Sequence, residues 1–178
     1  VVFESTRADV LGKRIDGKPV APNLARVAAQ GGALAPAYSH VGFTTASLKS
    51  LFAGSLVVPP GSPSLFRELD ASGYEIGVFS GQPEDFGGIS AAVGMREVAD
   101  RFVDAETLKD QRAFSFAAQG SLLIDENIVL DRFDAALGEA AARETPQFVY
   151  LNFQTPHFPY HHDAVPHRFA TPPLERDQ

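Results

Sequence analysis

The sequence predicts an α/β fold: a three-layer sandwich in which helices cover both faces of a mostly parallel β-sheet. Short apolar runs rich in β-branched and aromatic residues alternate with segments whose apolar residues recur at helical spacing. This alternation is typical of parallel sheets, because parallel neighbours need a crossover connection that is usually a helix. The chain has 178 residues and is 44% hydrophobic, which is enough to build a buried core.

The first half of the chain contains two predicted strands and three predicted helices. The strands are "VVF" at residues 1–3 and "YEIGVF" at residues 74–79. Apolar spacing and terminal glycines predict helices in "APNLARVAAQGG", "TTASLKSLFAG" and "SLFRELDASG". Apolar residues expected on the buried faces of the last two helices are Leu48, Leu51, Phe52, Leu65, Phe66 and Leu69.

The second half is dominated by one long helix and one buried strand. The helix lies in "DENIVLDRFDAALGEAAARE", with Asp125 as its N-cap. The strand is "QFVYLNF", whose apolar run is interrupted by Asn152. Residues 80–119 contain only a short helix in "DFGGISAAVGM" and a strand end at "RFVDAE" as expected elements. The buried stripe expected on the long helix is Val129, Phe133, Ala136, Leu137 and Ala140.

Composition excludes several classes of protein. The formal net charge of −7 and the pI of about 5.1 argue against a nucleic-acid-binding surface, which needs a basic face. The absence of cysteine excludes disulfides, zinc–thiolate sites and thiol catalysis. No apolar run reaches the ~18–20 residues of a membrane span, and we find no signal peptide. The chain opens on "VVFE" without Met, so we expect a membrane anchor, if there is one, only outside it.

Polar candidates for a site fall where strands end and a helix begins. In open α/β sheets, ligands bind at the carboxyl ends of the strands. Glu4 follows the first strand, "QTPHFPYHHD" follows the last strand, and Thr44 and Thr45 stand at a helix start. We therefore expect these three pieces to meet at one edge of the sheet.

The two threonines allow two interpretations. Ser and Thr at a helix start most often serve as the N-cap. A helix N-terminus also attracts phosphate or sulfate, because it presents free N–H groups and the positive end of the helix dipole. A threonine hydroxyl at that point becomes a nucleophile only when a base or a metal activates it.

Each of the other candidates also has an ordinary role beside the functional one. Glu4 is a candidate oxygen ligand for a metal, or a solvated carboxylate paired with Arg7. Lys49 adds positive charge one turn into the helix, or simply faces solvent. His157 is a candidate ligand or phosphoryl-contacting donor, or a residue of an exposed loop. Prolines around it prevent a helix, so His157 and His161 do not form a two-histidine zinc helix.

Five segments, taken in order, resemble the sulfatase and alkaline-phosphatase-like superfamily. Within it, the likeness is closest to the threonine-nucleophile branch of lipoteichoic-acid synthases, phosphoglycerol transferases and phosphoethanolamine transferases. The resemblance covers nearly the whole chain. The segments are "VVFESTRAD", "APNLARVAAQGGALAPAYSH", "GFTTASLKSLFAG", "LDASGYEIGVFSGQPEDFGG" and "FVYLNFQTPHFPY".

The resemblance implies a role for each matching residue. Thr44 would be the nucleophile, because it stands ten residues before Gly54, where sulfatases place Cys or Ser; Thr45 is the alternative. Glu4 and Thr44 would bind a divalent metal, Zn or Mn by resemblance, with Mg or Ca also allowed. His157 would contact the transferred group or a metal. Further contacts to the substrate would come from Ser47, Lys49 and His161.

Two departures from the family pattern shape the expected chemistry. The Cys or Ser that becomes formylglycine is replaced by Thr44, and the Pro and Arg that guide its oxidation are missing. Phosphoryl transfer through a phosphothreonine therefore fits better than a formylglycine sulfatase, with a plain phosphatase or sulfatase as a close rival. The family's later Asp-His pair and a further His are not found after His167, so residues 1–178 are expected to be the N-terminal part of the catalytic domain.

Two functions of different classes follow. The first is a metal-dependent phosphoryl (phospho- or sulfo-ester) transferase or hydrolase that acts on an anionic ester, lipid-linked in several members of the branch. The second is a truncated or degenerate domain that binds an anion or a partner without catalysis. The resemblance implies an extracytoplasmic location and leaves the cytoplasm open.

Overall fold

The structure is a computed structural model in which the chain divides into two compact units. The larger unit comprises Val1–Ser5 and Tyr38–Tyr160, and the smaller comprises Thr6–Ala37 and His161–Gln178. The structure describes residues 1–34, 37–39, 41–115, 122–140 and 143–157. His161 lies outside these residues.

Eight strands and six helices are described. In chain order they are β1 (Val2–Phe3), β2 (Arg14–Ile15), β3 (Lys18–Pro19), α1 (Pro22–Gln30), α2 (Thr44–Ala53), α3 (Leu65–Ala71), β4 (Glu75–Ser80), α4 (Ile89–Val93), α5 (Met95–Val98), β5 (Arg101–Val103), β6 (Arg112–Ser115), β7 (Leu122–Ile124), α6 (Glu126–Ala140) and β8 (Gln147–Phe153). Short 3₁₀ turns occupy Ala8–Val10, Phe86–Gly88 and Lys109–Gln111.

A four-stranded sheet with the order β1-β8-β4-β5 forms the centre of the larger unit, and all its pairings are parallel. The last strand in sequence, β8, therefore lies between the first strand and β4. Asn152 of β8 pairs in register with Val2 on one side and with Ser80 on the other. The carboxyl ends of β1, β8 and β4 consequently lie side by side, and we call this place the carboxyl edge.

Each face of this sheet packs against its own apolar core. Alternate residues of a strand point to opposite faces, so β4 contributes Ile76 and Val78 to one core and Phe79 to the other. The first core holds buried side chains of α2 to α5, and the second holds Val129 of α6. Helices thus cover both faces of a parallel sheet, and the predicted α/β fold class is confirmed.

The smaller unit contains a short hairpin and one helix. β2 and β3 pair antiparallel around Asp16 and Gly17, which both have positive φ, at 50° and 75°. Asp-Gly at such a two-residue turn is favoured because the twist of this turn matches that of the strands. Helix α1 begins at Pro22, a residue that suits the first helical position because its missing N–H has no intrahelical partner there.

The predicted elements are found, and several others were not predicted. The short helix expected in residues 85–95 is α4, and the strand end expected near residue 101 is β5. Asp125 precedes α6 and accepts a hydrogen bond from the Asn127 N–H at 3.0 Å, so its capping role is confirmed. The β2–β3 hairpin and the antiparallel β6–β7 pair were not predicted.

The predicted buried faces of the helices are partly wrong. Leu48 and Phe52 of α2 are buried, but Leu51 is 58% exposed. In α3, Phe66 is fully buried and Leu65 is 43% exposed. Leu137 of α6 is 49% exposed. Each helix therefore packs through a narrower stripe than the full set of apolar residues on its predicted face.

No helix in the described part of the chain combines the length and the apolar character that crossing a membrane requires.

Phe66 is the side chain on which we expect the first core to depend most. Its ring makes edge-to-face contacts with Phe52, at 4.9 Å between centroids, and with Tyr150, at 6.1 Å. Phe66→Ala should lower the free energy of unfolding by ~3–5 kcal/mol, because it removes apolar contacts and leaves a cavity. Leu65→Ala, at the exposed neighbouring position, is the matched control and should cost less than ~1 kcal/mol. Urea unfolding followed by circular dichroism measures both, and equal losses would contradict this packing.

Candidate active site at the carboxyl edge

Glu4 lies at the carboxyl edge because the β1–β8 ladder continues one residue beyond the strand. Its N–H donates to the carbonyl of Phe153 at 2.8 Å. The Glu4 carboxylate is half-buried and accepts hydrogen bonds from the hydroxyls of Thr44, at 2.8 Å, and Ser5, at 3.2 Å. Arg7, the partner expected if Glu4 had only an ordinary role, is bonded to Asp9 instead, at 2.9 Å.

Thr44 is the first residue of α2, and its hydroxyl meets Glu4. The Oγ1–Oε1 distance of 2.8 Å joins two residues 40 positions apart in the sequence. The predicted meeting of the helix start with the end of the first strand is therefore found. The contact is partly buried, which keeps the hydroxyl next to a single carboxylate oxygen rather than free in solvent.

The expected capping role of the threonines is wrong. The N-cap of α2 is Phe43, whose backbone is extended at φ −151° and ψ 149° and whose side chain makes no capping hydrogen bond. Its carbonyl accepts the first helical bond, from the Ser47 N–H at 3.1 Å. Both threonines lie inside the helix, one and two positions after Phe43, so neither is the N-cap residue. The N-terminus of this ten-residue helix thus has no side-chain cap.

Thr45 packs against a glycine rather than against Glu4. Gly87 has φ +58°, and a Cβ atom added there would lie 2.2 Å from Thr45 Cγ2 and 3.0 Å from Thr45 Cβ. The Thr45 methyl group therefore fills the space that a side chain at position 87 would need. This packing distinguishes the two threonines, since only Thr44 is bonded to the carboxylate.

Lys49 is held by the same loop. Its ammonium donates to the Gly87 carbonyl at 2.7 Å. Lys49 thus tethers α2 to residues 86–88, and its positive charge lies next to the loop that contacts Thr45.

His157 follows β8 in a short turn. Its N–H donates to the Gln154 carbonyl at 2.8 Å, which closes the four-residue segment 154–157, the His157 turn. Gln154 is buried and donates from its side-chain amide to Gln82 Oε1 at 3.2 Å. The turn begins one residue after Phe153, whose carbonyl accepts the Glu4 N–H. His157 therefore leaves the sheet at the carboxyl edge, as predicted.

A buried polar network lies beside these residues, at the end of β4, in the segment that follows it, and on β8. Ser80, Gln82 and Asn152 all donate to Glu84 Oε1, at 2.6, 3.2 and 2.9 Å. Glu84 and Asn152 are fully buried. We call these four residues the Glu84 network.

Within the described part of the chain, three buried side-chain oxygens have no hydrogen-bond partner: Glu84 Oε2, Asn152 Oδ1 and Tyr150 Oη. Three donors on Oε1 and none on Oε2 is the pattern expected for a neutral carboxylic acid with its proton on Oε2. Since Asn152 already donates to Oε1, a proton between Oε2 and Asn152 Oδ1 would complete a reciprocal acid–amide pair.

The surroundings of Glu84 favour its neutral form. Burial raises the pKa of Glu84, the nearby charge of Asp104 raises it further, and the three hydrogen bonds act in the opposite direction. The Glu84 N–H donates to Asp104 Oδ2 at 3.1 Å, and that oxygen is in turn 3.4 Å from an Arg96 guanidinium nitrogen. Burial is also the largest cause that raises the pKa of Tyr150.

Little in the sequence indicates this network. Asn152 interrupts an apolar strand, which was a visible signal, but its partners follow another strand 68 residues away. No group of three or more His, Asp or Glu side chains placed to hold a metal is found among the described residues.

Comparison with known proteins gives one result. The family model described as Sulfatase matches residues 1–177. No curated protein and no solved structure matches the chain.

Gly87 should tolerate no side chain because of Thr45. Gly87→Ala combines a strained positive φ with a Cβ atom 2.2 Å from the Thr45 methyl carbon, so it should lower the free energy of unfolding by ~2 kcal/mol or more. Gly88→Ala is the matched control, since φ is also positive there but the added Cβ meets only Lys49 Nζ, at 3.7 Å. Thr45→Ser removes the clashing methyl and should recover part of the loss in Gly87→Ala. Equal costs at both glycines in urea unfolding would refute the contact.

Glu84 should make the stability of the protein fall as pH rises. The pKa of Glu84 is higher in the folded protein than in the unfolded chain. Its contribution to stability is therefore fully present at pH values below its pKa in the unfolded chain, and it is lost as the pH rises through its pKa in the folded protein. Glu84→Gln copies the neutral acid and can donate to Asn152, so its stability relative to the parent should improve steadily above about pH 5.

Glu75→Gln serves as a control of opposite sign. Hydrogen bonds from Gln147 and Arg143 lower the pKa of Glu75 in the folded protein. The contribution of Glu75 to stability is therefore present at pH values above its pKa in the unfolded chain, and it is lost as the pH falls through its pKa in the folded protein. Its substitution should therefore cost more at pH 7 than at pH 4. Free energies of unfolding across pH 4–8 measure both variants, and parallel pH profiles for the parent and Glu84→Gln would rule out a neutral Glu84.

Proposed function

The chain belongs to the sulfatase family, and from that premise we propose that it transfers or hydrolyses phosphoryl esters through a covalent intermediate on Thr44. The observation that supports this most is the 2.8 Å hydrogen bond from the Thr44 hydroxyl to Glu4 at the start of α2. This assignment puts the chain in the threonine-nucleophile branch of the family.

The start of α2 suits an anionic substrate. The first-turn N–H groups of this helix have no side-chain cap, so a phosphoryl oxygen can take their hydrogen bonds and interact with the helix dipole. The Glu4 carboxylate beside them would repel the same anion. This conflict is resolved when a cation stands between carboxylate and substrate, which supports metal dependence.

Glu4 and Thr44 are the residues that would hold such an ion. Their adjacent carboxylate and hydroxyl oxygens are hard donors, which suit Mg²⁺, Ca²⁺ and Mn²⁺ and are also found around catalytic Zn²⁺. The pair supplies two ligands, so it fits as one part of a divalent-metal site. A divalent cation bound there supplies positive charge that makes the hydroxyl more acidic and offsets the charge of the phosphoryl oxygens.

The reaction has two displacements at phosphorus. Thr44 Oγ1 loses its proton to solvent and forms a bond to phosphorus, while the bond to the ester oxygen breaks and the departing alkoxide takes a proton from water. Water or a second alcohol then attacks the phosphothreonine, and Thr44 Oγ1 leaves and regains a proton. The N–H groups of α2 stabilise the phosphoryl oxygens in both steps.

Thr44 also supports phosphoryl rather than formylglycine chemistry. Oxidation of a threonine hydroxyl gives a ketone and not the aldehyde of formylglycine, and the chain has no cysteine. A sulfate ester remains the rival substrate. Paired p-nitrophenyl phosphate and p-nitrophenyl sulfate assays distinguish the two.

The remaining candidates complete the proposal. His157, at the end of its turn, contacts the transferred group, and Ser47, Lys49 and His161 contribute to the substrate site. The substrate is an anionic ester, with lipid-linked phosphoglycerol and phosphoethanolamine donors among the candidates, and the protein works outside the cytoplasm.

Thr44→Ala should abolish turnover of p-nitrophenyl phosphate in the presence of Mn²⁺ or Zn²⁺, with a loss on the order of 10³-fold or more. Because Thr44 does not cap α2, the substitution should leave the fold intact. Thr44→Ser retains a hydroxyl and should keep measurable activity. Thr45→Ser is the matched control and should change turnover only a few-fold.

Mass spectrometry of the quenched reaction adds a direct readout, since one phosphoryl group should appear on the peptide that holds Thr44. Full activity in Thr44→Ala would disprove the nucleophile assignment. If the parent protein turns over neither p-nitrophenyl phosphate nor p-nitrophenyl sulfate in the presence of Zn²⁺, Mn²⁺, Mg²⁺ or Ca²⁺, the alternative is favoured. That alternative is a domain that binds an anion or a partner without catalysis.

A further inference from the structure

The turn that carries His157 is attached to the start of helix α6. Glu126 is the first residue of α6, and Asp125 before it already caps the helix through the Asn127 N–H. The Glu126 carboxylate extends instead to the end of β8, 28 residues further along the chain.

The carboxylate accepts three hydrogen bonds from the His157 turn. The Gln154 N–H donates to Oε1, and the Thr155 N–H donates to Oε2 at 3.2 Å. The Thr155 hydroxyl also donates to Oε2. Hydrogen bonds to an ionised acceptor are stronger than neutral ones, and two consecutive backbone donors on one carboxylate fix the direction of the chain at that point.

A glycine leaves the room that this carboxylate occupies. A Cβ atom at Gly81 would lie 2.7 Å from Glu126 Oε1 and 3.4 Å from Gln154 Cγ. Gly81 follows β4 directly and donates its own N–H to the Asn152 carbonyl at 2.9 Å. Any larger residue at position 81 would have to displace either Glu126 or the turn.

The residue before the turn is connected to Thr44 by hydrogen bonds through Glu4. Phe153, one residue before the turn, accepts the Glu4 N–H, and Glu4 accepts the Thr44 hydroxyl. The end of β8 is therefore fixed relative to Thr44 through Glu4, and the direction of the next four residues is fixed by Glu126.

We propose that Glu126 is a positioning residue, whose carboxylate orients the His157 turn so that His157 faces the ester bound at Thr44. The inference rests on the proposed role of His157 in contacting the transferred group. In this role Glu126 acts through the turn and needs no contact with the substrate or the reacting atoms.

Glu126→Gln tests the proposal in the full 178-residue chain. The amide keeps the size of the side chain but replaces one acceptor oxygen by a donor, which faces the donors of the turn. Amide hydrogen exchange at Gln154 and Thr155 should speed up about tenfold or more, since hydrogen bonds to a charged group are lost. Glu139→Gln is the matched control on the same helix, because Glu139 is exposed and its carboxylate accepts a hydrogen bond from Arg101 at 2.8 Å. It should leave both amides protected.

A double-mutant cycle with His157→Ala separates positioning from general structural damage. With p-nitrophenyl phosphate, Glu126→Gln should reduce kcat in the parent protein and have little further effect when His157 is already absent. A loss of equal size in both backgrounds, or unchanged exchange at Gln154 and Thr155, would overturn the proposal. Glu126→Asp, which keeps the charge, should rescue part of both effects and covers the case in which Glu126→Gln folds poorly.

Failure of the proposed function gives a different result from failure of this inference. If the parent protein shows no turnover, the exchange rates and the His157 ring resonances in NMR spectra still report on the turn. Ring resonances that shift in Glu126→Gln but not in Glu139→Gln support the attachment of the turn to Glu126. Resonances unchanged in both variants overturn it whatever the activity.

Discussion

The pairing of β8 with two strands at once is the constraint on which the candidate site depends. Asn152 is in register with Val2 of β1 and with Ser80 of β4, so the carboxyl ends of β1, β4 and β8 lie at one place. Parallel strands leave a sheet at the same edge, and the chain must turn away there. Glu4, Glu84 and His157 come from three distant parts of the sequence, and this shared edge is the reason that they lie near one another.

Two carboxyl groups at this edge have opposite environments. Glu4 is half-buried and accepts hydrogen bonds from the hydroxyls of Thr44 and Ser5. Glu84 is fully buried, and burial raises its pKa. A charged Glu84 would destabilise the fold, because a buried anion without a charged partner is costly.

The sequence predicted most of the main sheet and part of the site, and the failures have physical causes. Strand and helix periods identified β1, β4, β8 and α6, and the rule on strand ends predicted that Glu4 and Thr44 meet. Leu51 and Leu137 were wrongly expected to be buried, because spacing along one helix does not show how wide a stripe its neighbours cover. The Glu84 network was missed since its hydrogen bonds join β4 to β8 across 68 residues, and register between distant strands is not visible in local pattern. The capping role was wrong because Phe43, and not a threonine, makes the transition from extended to helical backbone.

The choice between the twin threonines follows from helix geometry. Consecutive residues of a helix point about 100° apart, so the side chains of Thr44 and Thr45 leave the helix in different directions. One direction at the start of α2 leads to Glu4 and the other to the left-handed Gly87, where a side chain would collide with the Thr45 methyl. Thr45 and Gly87 therefore hold the helix against its neighbouring loop, and Lys49 strengthens that contact from the next turn. Thr44 needs a helix that does not shift if its oxygen is to stay 2.8 Å from the carboxylate. In this arrangement the second threonine supports the first, because its packing fixes the helix on which the Thr44 hydroxyl meets Glu4.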